Sequence, residues 1–247
     1  MILKIIIILS IVIFSTSFAQ DAKEIIRKSD ELIKSESSYA EVTMTVVKTD
    51  WTRTIAMKNW ALEPDYALIY ITEPSTDKGS VTLKRKKEVW NWIPTAQKVI
   101  KIPPSMMLQS WMGSDFTNDD LVKESSVVND YTHTIVGEEH FAGYDCYKIE
   151  SIPKPDAGVV WGKLLIWVAK NGYFQLKVEF FDEDEFIVKT YLGNEIKEMG
   201  GRTIPTVWEM IPIDRPGEKT VFIYNKIEFN YDVNESFFSE RNMKRVR

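Results

Sequence analysis

The chain has 247 residues, one cysteine and a formal net charge of −5, with 44% hydrophobic and 12% aromatic residues. A single thiol cannot close an intramolecular disulfide, which excludes a small disulfide-stapled scaffold. The mild acidity argues against nucleic acid as a partner, and the length suits one large β domain or two small ones.

Residues 1–19 carry Lys4 as a basic start, an apolar run over 5–14, and Ser17 and Ala19 at the −3 and −1 positions of a cleavage site. The run is shorter than the roughly 20 residues of a spanning helix. The charged stretch after it, QDAKEIIRKSDE, has no stop-transfer character. These features predict a cleaved secretory signal and one mature domain over 20–247 in an exported compartment, with a retained anchor as the alternative. The first position after the cleavage site is Gln20, not the cysteine that lipid attachment would require.

Residues 21–34 then place Ile25, Ile26, Leu32 and Ile33 at helical spacing among charges, which predicts an amphipathic helix. From Tyr39 the period falls to two. Val42, Met44 and Val46 alternate with Glu41, Thr43 and Thr45, and the pairs Ile55/Met57, Trp90/Trp92 and Ile100/Ile102 continue the pattern. Further runs lie at 164–168, 176–180, 187–191, 204–210 and 221–231. Turn signals at 63–65, 77–79, 171–172, 182–185, 200–201 and 215–217 separate many of these runs. Strands in this succession, without intervening helices, predict a mainly β fold. It is a single antiparallel meander curling into a barrel or half-barrel. Two local basic spots stand out, at 84–87 and in the tail at Arg241, Lys244, Arg245 and Arg247. The first reads as a solvated hairpin turn or as a docking patch for anionic headgroups.

One segment breaks the β rhythm, IPPSMMLQSWMGSDFTNDDLVKE at 102–124. Pro103 and Pro104 end a strand, and Met106, Met107, Leu108, Trp111 and Met112 cluster at near-helical spacings before Gly113. Met is flexible and polarisable, so a Met-rich surface adapts to varied apolar shapes. The segment is therefore either a core-packing insertion or a mobile lid over an apolar cavity. Thr117 is placed to cap a second short helix, with Asp119 and Asp120 favoured by its dipole, and Asp115 is grouped with them as structural. No catalytic group stands out. His133 and His140 sit in ordinary strand and turn contexts, Cys146 reads as a small buried hydrophobe, and nucleophile-elbow, zinc-protease and Cys-x-x-Cys motifs are missing. The three aspartates lack the order of a calcium loop, so neither metal nor cofactor is expected.

The order of elements resembles the outer-membrane lipoprotein-sorting family, whose founding member is the carrier LolA. The resemblance rests on the leader, the first helix, Trp90-x-Trp92-x-Pro94, the block Gly113-Ser-Asp-Phe-Thr-Asn-Asp-Asp-Leu121, and Gly143-Tyr-Asp-Cys-Tyr-Lys-Ile-Glu150 with the strand after it. Its most specific part, 114–121, is found in the broad branch of the family rather than in the founding carrier. The resemblance implies an incomplete barrel, a single curved antiparallel sheet with the N-terminal helix and short lid helices covering its concave face. It implies a periplasmic carrier of lipid or lipoprotein acyl chains, expected to be monomeric and, from the missing catalytic motifs, non-enzymatic. The carrier's own lipid-contacting residues do not carry over, and the lid and cavity candidates are this chain's Met106, Met107, Leu108, Trp111, Met112, Phe116, Trp90 and Trp92. The competing reading is a non-transporting interaction or sensor module, including an accessory partner of an MMPL/RND-type exporter. An inner-membrane RND or ABC exporter is the implied protein partner.

Overall fold

The computed structural model describes residues 14–247 apart from 108, 119–126, 156 and 158. The expected signal segment therefore lies largely outside the described residues, as do Leu108, Asp119 and Asp120. The first helix, α1, runs Phe14–Ile33, reaching further back than the expected 21–34. Among the described residues no helix is long and apolar enough to cross a membrane.

Thirteen strands follow: β1 (Ser37–Val47), β2 (Thr52–Leu62), β3 (Tyr66–Glu73), β4 (Val81–Arg85), β5 (Glu88–Ile93), β6 (Lys98–Lys101), β7 (Tyr131–Phe141), β8 (Tyr144–Pro153), β9 (Lys163–Ala169), β10 (Gln175–Phe181), β11 (Ile187–Met199), β12 (Arg202–Pro212) and β13 (Lys219–Phe229). They form one antiparallel, open, curved sheet in the order β6-β5-β4-β3-β2-β1-β13-β12-β11-β10-β9-β8-β7. The chain thus starts at the centre, walks to one edge, crosses to the other edge at β7 and returns to pair β13 with β1. All six turn signals fall between consecutive strands.

Register divides the side chains between two faces. In β1, Val42, Met44 and Val46 are buried on one face, here called the inner face; Met44 lies opposite Ile55 of β2 and Phe222 of β13. Tyr39 and Trp60 pair on the other, outer face. On the inner face, Ala22, Ile25 and Ile26 of α1 pack against Tyr131, Ile149, Leu164, Ile166, Val168 and Val178. A short helix α2 (Val127–Asp130) joins that cluster through Val128. An amphipathic stripe of this kind has to leave water, and the half-sheet β7–β12 supplies the complementary surface. The Arg202 guanidinium donates from Nη1 to the carbonyls of Glu31, Leu32 and Lys34 at 2.8, 3.1 and 2.7 Å. It thereby satisfies the orphan acceptors at the end of α1.

The outer face of β1–β5 is covered by the C-terminal tail. A 3-10 turn (Glu235–Phe237) and helix α3 (Glu240–Met243) bring Phe238, Met243 and Val246 against Tyr39, Trp60, Leu68, Tyr70, Val81 and Leu83. Asn234 and Ser239 cap these two turns by accepting from Ser236 N and Asn242 N.

Candidate functional site

Past Ile102, Pro103 and Pro104 stop β6. Of the short helices expected along this segment, the described residues hold a single 3-10 turn, Pro104–Met106. The next residues form a tight hairpin loop instead. Trp111 N donates to the Phe116 carbonyl at 2.7 Å, Ser110 bridges to Thr117, and Asn118 N donates to the Gln109 carbonyl at 3.0 Å. Met112 and Gly113 turn the tip with φ of 54° and 79°, the left-handed region where glycine is cheapest. The Ser114 hydroxyl donates to the Trp111 carbonyl at 2.7 Å and the Asn118 amide to the Met106 carbonyl at 3.1 Å.

This loop covers the inner face of β1–β4 and β13. Trp111 is only 4% exposed, among Val42, Met44, Ile55, Met57 and Ile71. Its indole N–H donates to the Thr82 hydroxyl at 3.2 Å, and that hydroxyl donates to Asn91 Oδ1 at 2.8 Å. The buried ring therefore keeps its polar handle satisfied. Asp115 corrects the capping expectation. Its carboxylate accepts from Lys48 Nζ at 2.7 Å, Arg215 Nη2 at 3.0 Å and the Thr220 hydroxyl at 2.7 Å, with a side chain 3% exposed. Glu218 joins Lys48 at 3.2 Å and Arg215 at 3.3 Å. Burial raises the Glu218 carboxyl, but the hydrogen bonds from Lys48 and Thr49 outweigh it and leave the group below its ordinary value. Asp115 is thus a clamp to strands that lie far away in sequence. Thr117 lies in the bridge to Ser110, and the helix it would cap, with Asp119 and Asp120, lies outside the described residues.

Phe116 carries the loop toward the other half of the sheet. It meets Phe222 edge-on with centroids 5.0 Å apart and Tyr191 at 6.4 Å. Tyr191 stacks on Trp208 at 4.7 Å. Burial pushes the Tyr191 and Tyr224 hydroxyls up. Trp208 also lines a cavity of about 30 Å³ under the end of α1, with Ile26, Ser29, Val127 and Phe174. An aromatic strip therefore runs along the inner face from one cover to the other. No local spacing singles out Tyr191, Trp208 or Phe222, because register across β11, β12, β13 and β1 is what aligns them.

The remaining candidates separate. Met107 packs on Val89 and Ile102 near the loop, Met112 packs beside Trp111, and Met106 is 38% exposed. Trp90 and Trp92 lie opposite Leu83 and Val81 and belong to the tail-covered cluster. They are on the outer face, away from Trp111 and Phe116, because residues two apart share a face and their partners Leu83 and Val81 face outward.

Titratable side chains assemble nothing catalytic among the described residues. The His133 ring accepts or donates to the Ser151 hydroxyl at 2.8 Å, but both residues are sealed, 3% and 0% exposed. Burial holds the His133 pKa below its ordinary value. Burial likewise pushes the Cys146 thiol up, away from thiolate chemistry. No cluster of possible metal ligands occurs among the described residues.

The fold matches solved structures closely over nearly all of the chain. A DUF1329 family protein from Desulfovibrio piger is 21% identical, with a TM-score of 0.79, covering 92% of this chain and 99% of its own. A domain described as an outer membrane lipoprotein-sorting protein, from Vibrio parahaemolyticus, is 23% identical with a TM-score of 0.76 over 92% and 100%. A LolA superfamily protein from Nitrosomonas europaea is 21% identical with a TM-score of 0.71 over 89% and 98%. No curated protein matches the sequence. A family model described as that of an uncharacterized protein matches residues 63–245. The chain belongs to that family and shares its fold with the LolA-like outer-membrane lipoprotein-sorting proteins.

Proposed function

We propose that the protein is an exported, non-enzymatic binder of acyl chains that carries lipids or lipoproteins across the periplasm towards the outer membrane. The observation that supports this best is the aromatic strip Phe222–Phe116–Tyr191–Trp208, which lies between two separate covers on one face of a curved sheet. Aromatic rings of this size bury large apolar area without demanding one ligand shape. Fold likeness to proteins named for lipoprotein sorting points the same way. An acyl chain of about 16 carbons represents roughly 12 kcal/mol of gross burial at about 0.8 kcal/mol per CH₂, so it does not cross water unaided. The cavity under α1 holds about 30 Å³, an order of magnitude below the ~300–1,000 Å³ of ligand pockets. Uptake in this reading therefore requires the covers to part along the strip, with Met106, Met107, Met112 and Phe116 lining the opening.

Protein purified from the periplasm should carry lipid detectable by native mass spectrometry and solvent extraction. Phe116→Asp should weaken binding of a fluorescent fatty acid at least tenfold while circular dichroism is unchanged, because a charge in an apolar site is costly. Empty protein, together with unaltered probe binding by the folded variant, would overturn the proposal. A second reading, a non-transporting module that docks a protein such as an RND or ABC exporter, draws support from β7. This strand ends the sheet, is 11 residues long and leaves Val136 49% exposed, a profile suited to strand addition. Copurified protein with no lipid would favour it.

A further inference from the structure

The side-chain charge of the chain is segregated. Residues 84–101 hold six Lys/Arg and one Glu, and residues 239–247 hold four and one, giving +5 and +3. The whole chain carries −5, so everything outside these two stretches carries −13. The fold joins the two basic stretches, which are more than a hundred residues apart in sequence. Met243 and Val246 of the tail pack in the cluster that includes Trp90, Trp92 and Val99. Lys244 Nζ sits 5.6 Å from the Trp92 ring centroid, Lys101 Nζ 5.5 Å from Trp90, and Arg85 5.8 Å from Tyr66. The β4–β5 turn, with Arg85, Lys86 and Lys87, rims an open hollow of about 560 Å³ floored by Tyr66 and Trp90; Asp65, Glu88 and Glu235 also line it. Glu235 pairs with Arg85 and Glu88 with Lys101, so the cations that project from the rim are chiefly Lys86 and Lys87. Lys86, Lys87, Lys98, Lys244 and Arg245 are exposed. At the same edge, on the opposite face of the β5–β6 hairpin from Trp90 and Trp92, Ile93 and Ile100 are 36% and 43% exposed.

We propose that this basic, tryptophan-bearing pole docks the protein on an anionic lipid bilayer. Two features select a bilayer over a soluble anionic partner. Half-buried indoles flanked by ammonium groups match the headgroup level, where Trp is favoured because one end of the ring is apolar and the other wet. Exposed isoleucines on the opposite face of the same edge hairpin add apolar contact, reached when the edge enters the interface, that a purely electrostatic partner would not need. The −13 elsewhere repels the same surface, so attraction is confined to this pole and fixes the orientation of the molecule on it. Docking does not depend on acyl cargo and stands or falls separately from the carrier reading.

The test is flotation of the full chain with vesicles of phosphatidylglycerol and phosphatidylcholine at 3:7, against phosphatidylcholine alone. Preferential binding to the anionic vesicles, weakening as salt is raised, is expected. Lys86→Glu/Lys87→Glu/Lys244→Glu/Arg245→Glu should weaken it by several hundredfold, since each basic group near the surface contributes roughly fivefold. Reversing four lysines elsewhere (Lys34, Lys170, Lys197 and Lys226 to Glu) changes net charge equally and should leave docking nearly intact. If the pole variant does not fold, Lys86→Glu/Lys87→Glu alone should still cost about twenty-five-fold. Equal binding to both vesicle types, equal losses in the two quadruple variants, or binding to soluble polyphosphate without binding to vesicles would each overturn the proposal.

Discussion

Helix α1 and the 109–118 hairpin cover neighbouring parts of one sheet face, yet they meet it differently. The helix contributes Ala22, Ile25 and Ile26, an apolar stripe whose attraction has no direction, and it is tied by hydrogen bonds chiefly at its end, through Arg202. The hairpin contributes Trp111, hydrogen-bonded to Thr82, and Asp115, held by Lys48, Arg215 and Thr220. Apolar burial tolerates sliding, whereas a buried ionic clamp has one geometry. The hairpin is accordingly expected to be the fixed wall of the inner face and α1 the cover that yields, with Arg202 as its tether. Native-state hydrogen exchange should show α1 opening at lower free energy than the strands under the hairpin; the reverse order would break this comparison.

The largest effect on the hairpin side is expected from Trp111→Ala. The ring is buried in the β1–β3 cluster, and truncating a buried aromatic costs about 3–5 kcal/mol, part transfer and part cavity. Urea unfolding measures this directly. Asp115→Ala should cost somewhat less, about 2 kcal/mol. Removing one member of a buried ion pair leaves charge uncompensated, but Lys48 and Arg215 retain Glu218 at 3.2 and 3.3 Å. A loss below 0.5 kcal/mol for Asp115→Ala would mean that the clamp does not hold the wall.

On the helix side, Arg202→Ala removes the donor shared by three carbonyls and should cost roughly 1–2 kcal/mol. The sharper readout is local. Exchange of the last turn of α1 should rise while the β1–β3 amides stay protected, and fatty-acid association should speed up if the helix is the moving cover. Unchanged exchange in α1 would remove Arg202 from that role.

How far these differences could be read beforehand depends on where the signal is stored. Turns and the α1 stripe are local patterns, and both were legible. Strands β3 and β4 were harder, because both faces are covered there: Ile69 and Ile71 turn inward while Leu68 and Tyr70 turn outward. Residues buried on both sides lose the period-two signal that marks a half-exposed strand. A bulge between Ile135 and Gly137 disturbs the alternation of β7 in the same way. At the site, Met107, Trp111, Met112 and Phe116 were visible as an unusual cluster, but the partners of Asp115 stand at 48, 215 and 220. No spacing rule reaches them. Trp90 and Trp92 were correctly placed on one face, and only cross-strand register shows which face it is.

The smallest effect concerns pH and again separates the two sides, because the buried His133 lies near α2 on the helix half of the sheet, while the hairpin holds carboxylates. Its pKa is lowered in the folded protein, first by burial. The unfolded chain therefore takes up a proton near pH 6.5 that the folded chain refuses. The contribution is fully present above that value and is lost as pH falls through it towards the depressed folded pKa. Stability should decline between about pH 7 and 5.5, before carboxylates begin to protonate. His133→Gln keeps a polar partner for Ser151 at 2.8 Å and removes the titration, so the decline in that window should flatten even if the variant is less stable throughout. Thermal melts at closely spaced pH values decide the matter. If wild type and variant lose stability in parallel from pH 7 to 5.5, the acid sensitivity lies elsewhere.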